Sequence, residues 1–298
     1  MRIILKWFGI MVGAAVGLLV LAVGGIYIVT NARINKTYEI VVETVRIPGD
    51  AEAIALGEHL SVIRGCTDCH YDNLAGGVFA DDPALGTLYA GNLTPGAGGT
   101  GGYTDEDWVR AIRHGIGPDG KPLLWMPSQE FYFLGDEDLG ALIGYLKTLP
   151  AVDNENPDHT LRPLGRALFL AGQLDLVPAE LVDHDGPRPQ TPPVGVTVEY
   201  GEYMAVGCTG CHGPSFSGGP IPGAPPDWMP AANLTPNGNL ASWTETEFIA
   251  AFRTGIKPNG KSFDENMPYK AVGQMSDDEL KSVWLFLLSL PTREAGNR

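Results

Sequence analysis

The sequence predicts an all-α protein: one N-terminal transmembrane helix followed by two tandem copies of a small helical domain. Three observations carry this reading. The first is an apolar run. Residues Ile3 to Thr30 are interrupted only by Lys6, and Trp7 to Val29 carry no charge. At about 1.5 Å per residue such a helix crosses a hydrocarbon core about 30 Å thick. The second is apolar spacing of helical period, as at Leu139, Leu142, Ile143 and Leu146 ahead of Pro150. The third is self-similarity, since the features between Cys66 and Pro150 recur between Cys208 and Pro291 at a nearly constant offset.

The elements follow in order. A cleaved signal peptide would have a shorter apolar region and a small-x-small cleavage site, and no convincing one precedes Asn31, so the first helix reads as a retained anchor. Its flanking charges, Arg2 and Lys6 before and Arg33 and Lys36 after, do not settle its orientation. Asn31 to Lys36 is a tether. Tyr38 to Ile47 is rich in β-branched residues and reads as a strand or an extended arm. Pro48-Gly49-Asp50 is a turn, with Asp50 placed to cap a helix over Ala51 to Arg64. Then come Cys66-Thr67-Asp68-Cys69-His70 and a glycine-rich loop at Gly76-Gly77. Asn92-Leu93-Thr94-Pro95 and a run of glycines from Gly96 to Gly102 follow. Thr104 and Asp107 begin a helix in capping-box fashion, Met126-Pro127 sits in a loop, and Asp136 to Leu149 closes the unit. Residues 151–194 are polar and proline-rich at both ends. Their middle, Leu161 to Leu176, reads as a bridging helix packed on one or both domains. The expected division is 1–36 anchor and tether, 37–150 first domain, 151–194 linker and 195–298 second domain. In the second copy Asn233-Leu234-Thr235-Pro236, Thr244 with Glu247, Arg253, Met267-Pro268 and Pro291 answer their counterparts in the first.

The chemistry lies in Cys66-x-x-Cys69-His70 and its echo Cys208-x-x-Cys211-His212. This spacing is that of a c-type haem attachment site. Two cysteines one helical turn apart present both sulfurs to the vinyl groups along one haem edge. The histidine that follows lies under the ring as proximal iron ligand. The two motifs use all four cysteines. A zinc site would want paired half-sites, and a redox dithiol a βαβ context; neither pattern is apparent. Two covalently bound haems are therefore expected, held by Cys66, Cys69, Cys208 and Cys211, with His70 and His212 on the irons. Because such haem is normally attached outside the cytoplasm, residues after the anchor are expected on the periplasmic side of the inner membrane.

Of seven methionines only Met126 and Met267 occupy matching places, each followed by proline. They are the expected sixth ligands, and Met/His ligation suits electron transfer. Met204, Met229 and Met275 read as core or surface residues. His59, with Tyr203 near its matching place, His114, His159 and His184 read as structural. Asn92, Asn233, Arg113 and Arg253 are candidates to meet the haem propionates, beside the plainer reading of turn amides and solvated arginines. The formal charge is −15, and four of the 20 basic residues lie in or beside the anchor. Such acidity argues against nucleic acid as a partner and suits a redox protein with a basic docking face, beside the plainer reading of ordinary solubility charge.

Each half resembles a class I cytochrome c domain, with Gly57 or Gly201 in the first helix, the haem motif, a methionine loop and a closing helix bearing Tyr145 or Phe286. The Asn-Leu-Thr-Pro and Met-Pro strings resemble those of membrane-anchored cytochrome subunits of bacterial alcohol and gluconate dehydrogenases. The resemblance implies a helical fold around each haem and periplasmic electron transfer, as a carrier or as a subunit of a respiratory or photosynthetic complex. Those subunits usually carry three haems, whereas two motifs are present here. The rival expectation is a dihaem redox enzyme of the peroxidase or thiosulfate dehydrogenase type, which would need one open iron.

Overall fold

The computed structural model describes residues 2–225 and 227–297. Helix α1 (Arg2–Ile34) is long and apolar enough to cross a membrane. Its side chains are exposed along most of its length and only Thr30 is fully covered. A helix that is apolar all round and uncovered suits a nonpolar surround. The segment after it runs extended, as the β-branched residues predict, but forms no ladder. It places Val45 in the core and Glu43 beside helix α4.

Helix α2 (Ala51–Ile63) starts where the Asp50 side chain accepts from Ala53 N. Gly65, at φ +77°, turns the chain into α3 (Cys66–His70), a conformation that a side chain would strain. Helix α4 (Asp105–His114) begins at the Thr104–Asp107 capping box and ends on left-handed Gly115. After α5 (Ser128–Phe131) comes α6 (Asp136–Leu146). The later part repeats this series. Helix α8 (Val198–Ala205) leads through a short 3₁₀ turn into α9 (Thr209–His212). Helix α10 (Glu245–Thr254) has the Thr244–Glu247 capping box and ends on left-handed Gly255, and α11 (Tyr269–Val272) precedes α12 (Asp277–Ser289).

In each series the first and last helices cross at a glycine. A Cβ on Gly57 would lie 2.0 Å from Ala141 O, and one on Gly201 would lie 1.9 Å from Ser282 O. Backbone cannot retreat as a flexible side chain can, so these glycines set the crossing distance. Gly57→Ala and Gly201→Ala should each cost about 1–3 kcal/mol or more through overpacking. Denaturant unfolding of the haem-loaded protein would show this as a fall in midpoint, and an unchanged midpoint would refute the tight crossing.

The all-α expectation needs correction. Beyond the helices there is a three-stranded antiparallel sheet, β1 (Gly77–Asp82), β2 (Gly86–Ala90) and β3 (Thr160–Leu161), in the order β1-β2-β3. Gly76 and Gly77, read as a loop, turn the chain into β1, and Asp82 accepts from Ala84 N and Leu85 N at the hairpin bend. Among the described residues the later series has an isolated bridge between Gly219 and Ala231 at this place. The bridging helix is also shorter than expected. It forms as α7 (Pro163–Leu170), starting on a proline and followed by left-handed Gly172. It packs on the end of α1 and on the first series.

The two series meet through reciprocal contacts. His59 Nε2 lies 2.9 Å from both oxygens of Glu279, while Tyr203, at the place matching His59, donates to Asp138. Glu279 and Asp138 each occupy the third position of a closing helix. Each copy thus offers the same two positions to the other, as across a two-fold axis. Arg64 adds a bridge, donating to Tyr203 O at 3.2 Å and Met204 O at 3.3 Å.

Candidate haem sites

A cavity of about 620 Å³ lies between α3, β2, α4 and the Met126 loop. Cys66, Cys69, His70 and Met126 all face it, and Leu88, Trp108, Ile112, Leu142 and Leu146 give it apolar walls. The sequence-predicted attachment and ligand residues of the first copy are therefore brought together around one space. His70 Nδ1 donates to Gly91 O at 2.7 Å. This fixes the tautomer and leaves Nε2 as the nitrogen suited to a metal. Burial lowers the pKa of His70, which favours the neutral, ligating form, although its bond to Gly91 works the other way.

The second copy repeats the local hydrogen bonds of the first. His212 Nδ1 donates to Ala232 O at 2.8 Å. Gly76 N and Gly218 N close equivalent turns on His70 O and His212 O, at 3.0 and 2.9 Å. Ser128 N and Tyr269 N each donate, at 2.7 Å, to the carbonyl of the preceding methionine, Met126 or Met267. Both methionines are partly buried against the core to which Cys66 and Cys208 contribute. Trp125 holds φ +63°, a strained value for an aromatic residue, just ahead of the first Met-Pro.

Burial keeps the thiols protonated in the chain as it stands. Burial pushes Cys66 up to about 12, with the neighbouring Cys69 adding to it. Burial likewise pushes Cys208 up to about 12 and Cys69 to about 11. Zinc ligands and redox dithiols work as thiolates. Among the described residues no group of three or more His, Cys, Asp or Glu is arranged to hold a metal ion. A haem needs only one imidazole and one thioether from each copy. The donor set, the fixed histidine tautomer and the apolar cavity fit that group.

Arg113, Arg253, Asn92 and Asn233, the expected propionate partners, are all engaged within the chain, and Asn92 also lines the first cavity. Arg113 is fully buried away from the cavity, bonded to Glu43, Asp136 and, at 2.7 Å, Leu134 O. Arg253 binds Gly273 O and Asp277. Both arginines fasten the loop that leads into the closing helix, which is where a fixed cation meets carbonyls and a helix-start carboxylate. The amides serve the chain itself. Asn92 Nδ2 donates to Ala97 O and Val152 O, and Oδ1 accepts from Thr94 N and Oγ1. Asn233 does the same with Arg293 O and Thr235. Each asparagine pins the segment that returns after the closing proline.

The remaining candidates separate cleanly. Met204 and Met275 are buried in the core and Met229 is exposed. His114 lies 3.0 Å from both Glu43 and His184. His159 is the one histidine outside the motifs that lines the first cavity, where its Nδ1 accepts from Tyr89 N at 3.2 Å. Sequence reasoning missed this wall of Phe79, Tyr89, Asn156 and His159, because it comes from the hairpin and from linker residues that have no obvious repeat partner.

An imidazole held by its Nδ1, two thiols of one helical turn and a thioether around one apolar cavity are the groups of a c-type haem site. Residues 199–291 match the cytochrome c family. The chain is similar to the cytochrome c subunit of the quinone alcohol dehydrogenase of Gluconobacter oxydans (strain 621H), with 29% identity over 284 residues, covering 83% of this chain and 56% of that one. It is similar to the fructose dehydrogenase cytochrome subunit of Gluconobacter japonicus, with 26% identity over 300 residues, 89% of this chain and 57% of that one. A diheme cytochrome c-type protein of Cereibacter sphaeroides is 25% identical over 270 residues, 80% of this chain and 86% of that one. The chain spans little more than half the length of the dehydrogenase subunits it matches.

Proposed function

We propose that this chain is a membrane-anchored dihaem relay, non-catalytic itself, that passes electrons between redox partners outside the cytoplasm. Residues 1–36 anchor it in the inner membrane, 37–150 and 195–298 form the two cytochrome domains, and 151–194 join them. Cys66 and Cys69 attach one haem and Cys208 and Cys211 the other. His70 with Met126, and His212 with Met267, hold the two irons. Each haem, when bound, supplies one-electron chemistry. The chain's own residues fix its orientation, keep water away and raise its potential.

The observation that carries this reading is the repetition of the local ligand framework. The histidine tethered to a carbonyl and the turn at Met-Pro recur in both copies, and the cysteine pair recurs in the sequence. A single open site would support an enzyme better. The joint between the copies suits transfer from one to the other. Glu130, in α5 just after Met126-Pro127, reaches the second motif so closely that a Cβ on Gly210 would lie 2.5 Å from its carboxylate. The acidic surface, with its net charge of −15, suits a basic partner and rates that fall as salt rises. Membership of a dehydrogenase complex is the setting that the relatives' names support.

Carbon monoxide tests the closed-site reading. The reduced, folded protein should leave its visible spectrum unchanged under the gas. Binding at either centre, or a high-spin ferric signal, would contradict two closed irons and favour an enzyme.

A further inference from the structure

The last turns of α1 are gripped by the globular part. Thr30 is fully buried; Arg166 Nη1 donates to Thr30 Oγ1 at 2.6 Å and to Asn31 Oδ1 at 2.8 Å. The Arg166 guanidinium lies 4.3 Å from the centre of the Tyr27 ring. Arg33 stacks on the buried Phe169 ring at 3.9 Å and pairs with Glu180. These contacts are ordered along both helices. Arg166 meets residues 27 to 31, and Phe169 meets residue 33. The start of α7 therefore lies toward the apolar stretch of α1 and its end lies away from it.

Leu164, at that start, is 49% exposed, and Leu181, next to Glu180, is 53% exposed. Large aliphatic side chains so placed gain from apolar contact, and both stand beside residues that hold the end of α1, Leu164 two before Arg166 and Leu181 next to Glu180. The apolar stretch of α1 ends at Val29, ahead of Thr30 and Asn31. The headgroup layer adds about 5–8 Å beyond the hydrocarbon on each side, roughly the rise from Val29 to Ile34 at about 1.5 Å per residue. Arginine beside an interfacial tyrosine is the usual composition of that layer.

We infer that α7 is an interfacial helix, lying in the lipid headgroup layer and clamping the anchor so that the first cytochrome domain sits on the bilayer. This rests on the anchor reading above. It has a consequence for the relay. Leu88 and Trp125 line the first cavity and also belong to the apolar cluster that includes Ile34 and Phe169. One apolar cluster thus joins the wall of the first cavity to the end of the anchor. The first centre is the membrane-proximal one, and a membrane-bound redox partner would exchange electrons there.

Nitroxide labels measure depth directly. The full haem-loaded chain would be placed in phosphatidylcholine vesicles with a single label at Leu164→Cys, at Val16→Cys in the anchor, or at Leu288→Cys on α12. Collision rates with oxygen and with a water-soluble nickel complex would then be compared. The expected oxygen-to-nickel ratio at 164 lies between a high value at 16 and a low value at 288. A ratio at 164 equal to that at 288, with 16 still high, would overturn the inference and leave the anchor standing. A low ratio at 16 would overturn both. Leu181→Cys carries the same expectation and replaces the 164 variant if that one fails to fold.

Discussion

Replacing Met126 by alanine is expected to lower the midpoint potential of the first haem by on the order of 0.1 V or more, within the roughly 0.8 V that axial ligands span. A thioether favours ferrous iron, and losing it leaves the site to water or to a stronger donor. Met267→Ala should do the same at the second centre, and neither change should move the other centre by a comparable amount. Optical redox titration of each variant reads the two potentials. Met204→Ala is the control. Met204 is buried in the core, so its loss should cost stability, about 2–5 kcal/mol, and leave both potentials near their starting values. If Met126→Ala and Met267→Ala leave both midpoints and spectra unchanged, the irons are not closed by these residues.

The second large effect is expected at Arg113. This side chain has no exposure and faces Glu43, Asp136 and the Leu134 carbonyl. Removing one partner of a buried ionic group strands the others, at a cost of about 3–5 kcal/mol. Arg113→Ala should lose about that much in denaturant unfolding. Arg253→Ala, at the matching place, should lose about 1 kcal/mol, because its side chain is 34% exposed and Asp277 is 66% exposed. The pair also has a pH signature. Burial would raise the Glu43 pKa, but hydrogen bonds from His114 and Arg113 outweigh it and hold the carboxyl at about 2. A group depressed in this way stabilises the fold above its unfolded value near 4.5 and loses that contribution as pH falls toward 2. Stability of the parent protein should therefore fall more steeply over that window than stability of Arg113→Ala. Equal slopes would remove Glu43 from the account.

Much of this molecule was legible in the chain because its chemistry is written locally. The haem motif needs five consecutive residues. The caps at Asp50, Thr104 and Thr244 act over one turn, and each forms as the spacing predicts. The paired methionines emerged from the repeat. What escaped depends on long-range pairing. Val78, Phe79, Thr87 and Tyr89 have strand-forming side chains, and β1 and β2 pair directly across a short bend, while β3 joins β2 from beyond the first closing helix. Arg113 sits on a helix next to the loop that could have carried it to a propionate. Its choice of Glu43 is set by an arm distant in sequence. Likewise the clamp on α1 joins Thr30 to Arg166, which no local pattern announces.

The central claim is that this chain carries two haems, one on each cysteine pair. Intact-mass measurement of the full chain, expressed with a c-type haem attachment system, tests it directly. The account predicts a mass equal to the polypeptide plus two haems, falling by one haem in Cys66→Ala/Cys69→Ala and by the other in Cys208→Ala/Cys211→Ala. A parent protein carrying one haem, or none, would contradict it.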